Sequence, residues 1–346
     1  MALFKRTSAA SSPAEPPPYP VFPDFAWNDP GTDTLAAFTR DDARPRGERL
    51  AAALDRMKAT RQDPERMLLA HSRAADLGGA HPEPLGELTA LLEAGPLASA
   101  DPLDRADGLA VLAYATVHAA WEVRGSGRAA TVERDAWPVF HAMAEQADEL
   151  GQQALELVPD HPCAAVTRMW SGMALGLQPA EWRHRFEVAR RRRPTLYSAH
   201  TGMLQAMCRK WYGSHEAMFG FAREVAENAP PGDPVSAVLP YAHVEYWLDI
   251  EDDDEMKRAR SEDATLVARV SDTWLSGPGG HDHPQVVEAH QLFGWFFVVT
   301  GDKARANLHL SRTGGRISSM PWDYYGSRNV HWYRVCLKGA NVPLPG

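Results

Sequence analysis

The chain has 346 residues, 44% hydrophobic and 23% charged, with a formal net charge of −9. That balance supplies an ordinary hydrophobic core and argues against a nucleic-acid binder, which needs a cationic surface. The three cysteines, Cys163, Cys208 and Cys336, are far apart and match no zinc or redox spacing; they read as free, mostly buried thiols in a reducing, cytoplasmic compartment.

Residues 1–33 form a tail. Seven prolines fall between Pro13 and Pro30, interleaved with Tyr19, Phe22, Phe25 and Trp27. Proline at that density blocks helix and favours extended chain, so the tail is expected to be extended or disordered, with its later aromatics able to dock on the folded body. The opening MALFKRTSAASSPAEPPP has no apolar stretch of the signal-peptide kind. The most apolar run, Leu292–Val299, is eight residues long, against the ~20 of a membrane span.

From Thr34 onward the pattern is helix after helix, with residues 34–129 read as an N-terminal helical region. Asp101 and Pro102 suit the cap and first position of a helix. Leu109, Ala113, Val117 and Trp121 then recur every four residues, and Gly125-Ser126-Gly127 ends the run. The next helix carries Trp137, Phe140, Ala144, Ala147 and Ala154 at helical spacings. No stretch alternates with period two between hairpin turns, so the expected class is all-α.

Residues 130–325 carry a repeat, leaving 326–346 as a C-terminal segment. The segments ALELVP, ARRRRP and VAENAP end alike, and their prolines, Pro159, Pro194 and Pro230, stand 35 and 36 residues apart. This resembles the tetratricopeptide repeat, whose period is ~34. Ala154 and Pro159 fall at its signature alanine and proline. Trp182, Phe186, Ala189 and Pro194 match the small, aromatic, alanine and proline positions of the next unit, although Trp182 is bulky for its place. A later unit matches through Phe293-Gly294, Phe297, Gly301-Asp302, Ala306 and Leu310. The resemblance implies a right-handed solenoid of antiparallel helix pairs with a concave groove for partners. The whole chain is also similar to uncharacterised actinobacterial helical-repeat proteins, through AWEVRGSG, KWYGSHEAMFGFAR and AHVEYW; that likeness implies no activity.

Within this register CRKWYGSHEAMF reads as a turn between two helices. Gly213 is expected at positive φ, Ser214 caps the following helix, and Met218, Phe221, Ala222 and Val225 form its buried stripe. His215-Glu216 opens like a zinc-protease helix, but Phe219 stands where the second histidine is required. His281, Asp282, His283, Glu288 and His290 are the densest histidine and acid cluster, at spacings that match no established metal set. No phosphate loop, nucleophile elbow or dinucleotide fingerprint occurs, so no cofactor is implied.

The leading reading is a cytoplasmic scaffold that binds a protein or peptide in its groove, with Trp211, Tyr212, His243 and Glu245 on one shared concave surface. An alternative is an enzyme on the same scaffold, using His200, His243 and Glu245 as acid–base groups. A second uses the six arginines Arg183, Arg185 and Arg190 to Arg193 to bind an anion or nucleic acid; a solvated helix end, offset by the acidic run Asp249 to Glu255, explains them as well.

Overall fold

Among the described residues five α-helices begin on a proline, at Pro64, Pro82, Pro102, Pro162 and Pro179. Proline is preorganised for the first helical position, where its missing N–H costs no hydrogen bond. The computed structural model describes residues 44–78, 82–125, 132–250, 252–277 and 282–343. The proline-rich tail lies outside them, as do most of the RGSGRA stretch, residues 278–280 and His281.

Fourteen α-helices and no strand occur among the described residues. The first four are α1 (Arg46–Ala59), α2 (Pro64–Asp76), α3 (Pro82–Ala94) and α4 (Pro102–Arg124). The middle of the chain gives α5 (Ala136–Leu157), α6 (Pro162–Ala174), α7 (Pro179–Ala189), α8 (Tyr197–Met207) and α9 (His215–Asn228). Then follow α10 (Val238–Asp249), α11 (Asp253–Ser276), α12 (Val286–Thr300), α13 (Lys303–Leu310) and α14 (Asn329–Gly339). Side-chain caps fix several starts. Asp101 accepts from the Leu103 amide at 2.9 Å, Ser214 from Ala217 at 3.1 Å and Asp302 from Arg305 at 3.0 Å. Each satisfies an amide that the first helical turn leaves without a partner.

From α3 onward each helix packs on the next. The even-numbered helices also pack on one another, α2 on α4 and so on through α14. Pro159, Pro194 and Pro230 follow the ends of α5, α7 and α9, so the repeated proline marks every second helix. The interior divides into a core built around α1–α8 and another around α8–α14, with Met207, Trp211 and Phe221 packed against both. All three cysteines are free and buried.

Two local expectations need correction. Gly213 does not have a positive φ. It is required instead because the chain turns back on itself: a Cβ there would stand 1.9 Å from the Met207 carbonyl oxygen. The buried stripe of α9 is Met218, Phe219, Ala222 and Ala226, while Phe221 and Val225 are only partly covered. The helix is packed from two sides. Phe219 packs at a steep angle against His243 and Tyr246 of α10, and Phe221 meets Phe186 of α7 and His200 of α8. A helix between two layers has a wider apolar arc than one repeat register implies.

Candidate functional site

His243 and Glu245 stand two residues apart on α10. At about 100° per residue they point to opposite sides of the helix, and they do not share a surface. His243, 1% exposed, lies between Phe219 and Phe296, with Nε2–H donating to Asp263 on α11 at 2.9 Å. Asp263 also accepts from Arg223 at 2.8 Å, and these two partners hold its carboxyl below the ordinary carboxylate range although burial opposes them. Burial lowers the His243 pKa, so the ring is neutral. Trp211 packs its ring edge-on against Trp121, with centroids 5.2 Å apart. Tyr212 is 46% exposed, and its hydroxyl donates to the Met173 carbonyl at the end of α6 at 2.8 Å. His200 is wedged against Phe186, and its Nδ1–H donates to Leu196 O at 2.8 Å. Neither His200 nor His243 has an open side for acid–base work.

Glu245 leads elsewhere. It is 4% exposed, yet receives the Lys210 ammonium at 2.6 Å and hydrogen bonds from Gln205 and the Tyr324 hydroxyl. Gln205 also donates to the Tyr241 hydroxyl at 3.2 Å. These residues sit on facing sides of α8 and α10, where Tyr197 and Gln205 are eight apart and Tyr241 and Glu245 four apart, helical spacings that keep each pair on one side. Burial, with the negative charge of Glu245 and Glu288 behind it, drives the Tyr241 pKa well up, so the phenol is neutral.

The polar string continues to α12. Glu288 is enclosed by protein and still keeps a partly accessible face. Burial raises its carboxyl to about 7, opposed by the Met320 amide, which donates at 3.4 Å. The buried Tyr197 hydroxyl faces Glu288, and its interaction with that carboxyl also opposes the rise. At the far end of Tyr197 its amide donates to Glu65 at 2.8 Å. Arg193 and His283 lie 3.5 and 3.4 Å from the same Glu65 oxygen. Glu65 opens α2, Tyr197 opens α8, and His283 just precedes α12, so three helix N-termini meet around one carboxylate, the sign their dipoles favour. The other Glu65 oxygen is buried and unpartnered.

The chain's own segment 318–325 crosses this face. Ser318 donates to Gln291 of α12 through both its amide, at 3.0 Å, and its hydroxyl, at 2.9 Å. The Trp322 indole donates to the same Gln291 oxygen, and Tyr324 reaches Glu245. Glu288 and Tyr324 belong to this set but were not singled out as binding residues by sequence. The signals available were the four-residue spacing of Tyr241 and Glu245 and the crowding of polar aromatics, Tyr324 included, in the second half of the chain; nothing local ties Glu245 to Glu288 or Tyr324, 43 and 79 positions downstream.

Most of the arginine cluster is paired within the fold. Arg185 is buried against Asp148 and Glu181, Arg190 meets Glu187 at 3.0 Å, Arg192 lies near Asp160 and Arg193 near Glu65 and Asp233. The histidine cluster is dispersed: His283 faces Glu65 while His290 meets His309 at 3.0 Å. Among the described residues no group of three or more His, Cys, Asp or Glu is arranged to hold a metal ion, and no helix is long and apolar enough to cross a membrane. A surface cleft of about 770 Å³ between α11 and α13 is lined by small residues, by Arg269, which pairs with Glu227, and by Arg305, which pairs with both Asp272 and Asp302. No family model matches the chain, and neither does any curated protein or solved structure.

Proposed function

We propose that the protein is an α-solenoid of antiparallel helix pairs, of tetratricopeptide type, that binds an extended peptide along the face shared by its even-numbered helices. Contacts between alternate helices and the recurring proline after every second helix support the solenoid, since each pair then buries its stripe only against its neighbours. The reading of function is carried by the segment 318–325. Side chains of α10 and α12 already grip a turn and the 3-10 helix Trp322–Arg328 that follows it, through the backbone amides at Ser318 and Met320 and the polar aromatic tips at Trp322 and Tyr324. Backbone donors and aromatic anchors are the groups by which a groove recognises a peptide.

The test adds the same chemistry in trans. A fluorescent peptide covering residues 317–328 is titrated into the wild type and into Tyr324→Ala, which releases the native segment from Glu245. Anisotropy should report binding at micromolar concentration to the variant and at least tenfold weaker binding to the wild type, whose own segment competes. No binding to either protein would overturn the proposal.

A further inference from the structure

We propose that Arg260, on α11, anchors an anion site that takes a carboxylate carried on an aromatic or apolar group. The proposal does not depend on the peptide reading. Its starting point is a comparison of the cations that lie over aromatic rings. Arg124, Arg190, Lys210, Arg223 and Arg305 do so, and each also donates a hydrogen bond to an oxygen of the protein. The Arg260 guanidinium lies 5.4 Å from the centre of the Trp295 ring. Among the described residues it has no hydrogen bond and no ion pair; Asp253 and Tyr325 act on it through charge, without a bond. Arg260 is also half-buried, so water meets only part of it. Burial lowers its pKa, the response of a cation withdrawn from water without a counter-charge.

The surroundings define the ligand. Trp295 attracts the guanidinium as a ring but offers it no oxygen, so the fork of N–H donors remains for an acceptor. That planar fork matches the two oxygens of one carboxylate. Trp295 itself is closed off: it is 1% exposed, and its indole N–H donates to the Tyr325 hydroxyl at 3.0 Å. It is a floor for Arg260 rather than a contact for a ligand. The contact surface lies beside it. The Tyr325 ring packs against Trp247 and Trp332, with centroids 5.2 and 5.4 Å apart, and both Tyr325 and Trp332 are half-exposed. A carboxylate paired with Arg260 lays its aromatic or aliphatic body on these rings. A phosphate fits less well. It gathers several donors around a double charge, whereas here one guanidinium stands with the negative Asp253 nearby.

Calorimetry on the full chain at neutral pH tests this with phenylpropionate, its neutral isostere phenylpropionamide, acetate, inorganic phosphate, and a blocked Gly-Gly-Phe peptide with a free C-terminal carboxylate. Phenylpropionate should bind about tenfold more tightly than the amide, which lacks the charge, and than acetate, which lacks a body for Tyr325 and Trp332. Arg260→Gln should erase the preference for acid over amide. Arg260→Lys, which keeps the charge and loses the fork, should weaken phenylpropionate binding about fivefold. Melting curves establish that the variants are folded; if Arg260→Gln is not, Arg260→Lys and the acid–amide comparison carry the test. The peptide binding more tightly than phenylpropionate would support the site and make a peptide C-terminus its source. Equal or weaker binding of the peptide would support the site with a free acid as its source. The proposal would be overturned by equal binding of acid and amide, by a preference that survives Arg260→Gln, or by an unchanged affinity in Arg260→Lys. Acetate or phosphate binding as tightly as phenylpropionate, or no binding by any probe, would overturn it as well.

Discussion

Single residues here owe their identities to what lies against them. Gly213 is the clearest case. Its backbone is of a kind any residue can adopt, but the Met207 carbonyl fills the space of a side chain. The obstacle is backbone in a tight turn, held by the Gly213 amide bonding to Cys208 O at 3.3 Å, so it cannot swing away as a side chain would. Gly213→Ala should therefore cost about 3 kcal/mol, the upper range for forcing an atom into filled space. Urea denaturation would measure it, and an unchanged midpoint would mean that the turn is wider than described. His243 and Glu245 make the complementary point. They are neighbours in sequence and carry similar polarity, yet one is locked to Asp263 among aromatic rings and the other faces Lys210 and Tyr324.

At the scale of elements, the hairpin of α12 and α13 tests the repeat. Gly294 lies where the two helices come closest, and a Cβ there would stand 2.5 Å from the buried Leu310 side chain. Gly301, in the connecting turn, has φ +86° with open space around it. The two glycines thus serve different ends, one close packing and the other a left-handed backbone. Gly294→Ala should cost about 2 kcal/mol through overpacking, and Gly301→Ala about 1 kcal/mol through backbone strain. Combining Gly294→Ala with Leu310→Ala makes room for the new methyl group. In a double-mutant cycle that pair should lose less than the sum of the two single changes; strict additivity would show that the helices do not meet at this point.

For the molecule as a whole, buried histidines set the response to acid. Burial lowers His71 to about 4, and it likewise depresses His200, His243 and His309. His71 donates Nε2–H to the Ala110 carbonyl at 3.0 Å, tying α2 to α4, and His309 sits with Ser271 and His290 between α11, α12 and α13. A histidine with a lowered folded pKa takes up its proton more readily when unfolded. Its contribution is therefore present above pH 6.5 and lost as pH falls toward the folded value; for His71 alone the loss amounts to about 3 kcal/mol by pH 4. Glu288 acts with the opposite sign. Its raised pKa gives stability below about pH 4.5 that is lost as pH rises through 7. Five depressed histidines, His215 among them, outweigh two raised carboxyls, Glu288 and Asp76, between pH 6.5 and 4.5, so the unfolding free energy should fall on acidification across that window. Denaturant titrations at pH 7, 6 and 5 would show it, and a flat profile would mean that these rings reach water.

The sequence by itself determined the elements: their helical class, the Asp101 and Ser214 caps, the stop at Gly125, the α12–α13 hairpin around Gly294 and Gly301, and a proline after every second helix. These are local properties, governed by backbone sterics, orphan amides and a periodicity that spans a turn or two of helix. The tertiary structure alone decided which polar residues meet. Glu65 reaches His283 across 218 positions and Glu245 reaches Tyr324 across 79, and no local pattern encodes such pairings because they depend on how the helices stack and where the segment 318–325 returns. The same stacking put His243 inside the core and left Glu288 enclosed with one open side. Burial, not residue type, sets the charge of a carboxyl or an imidazole, and burial is a property of the assembled helices.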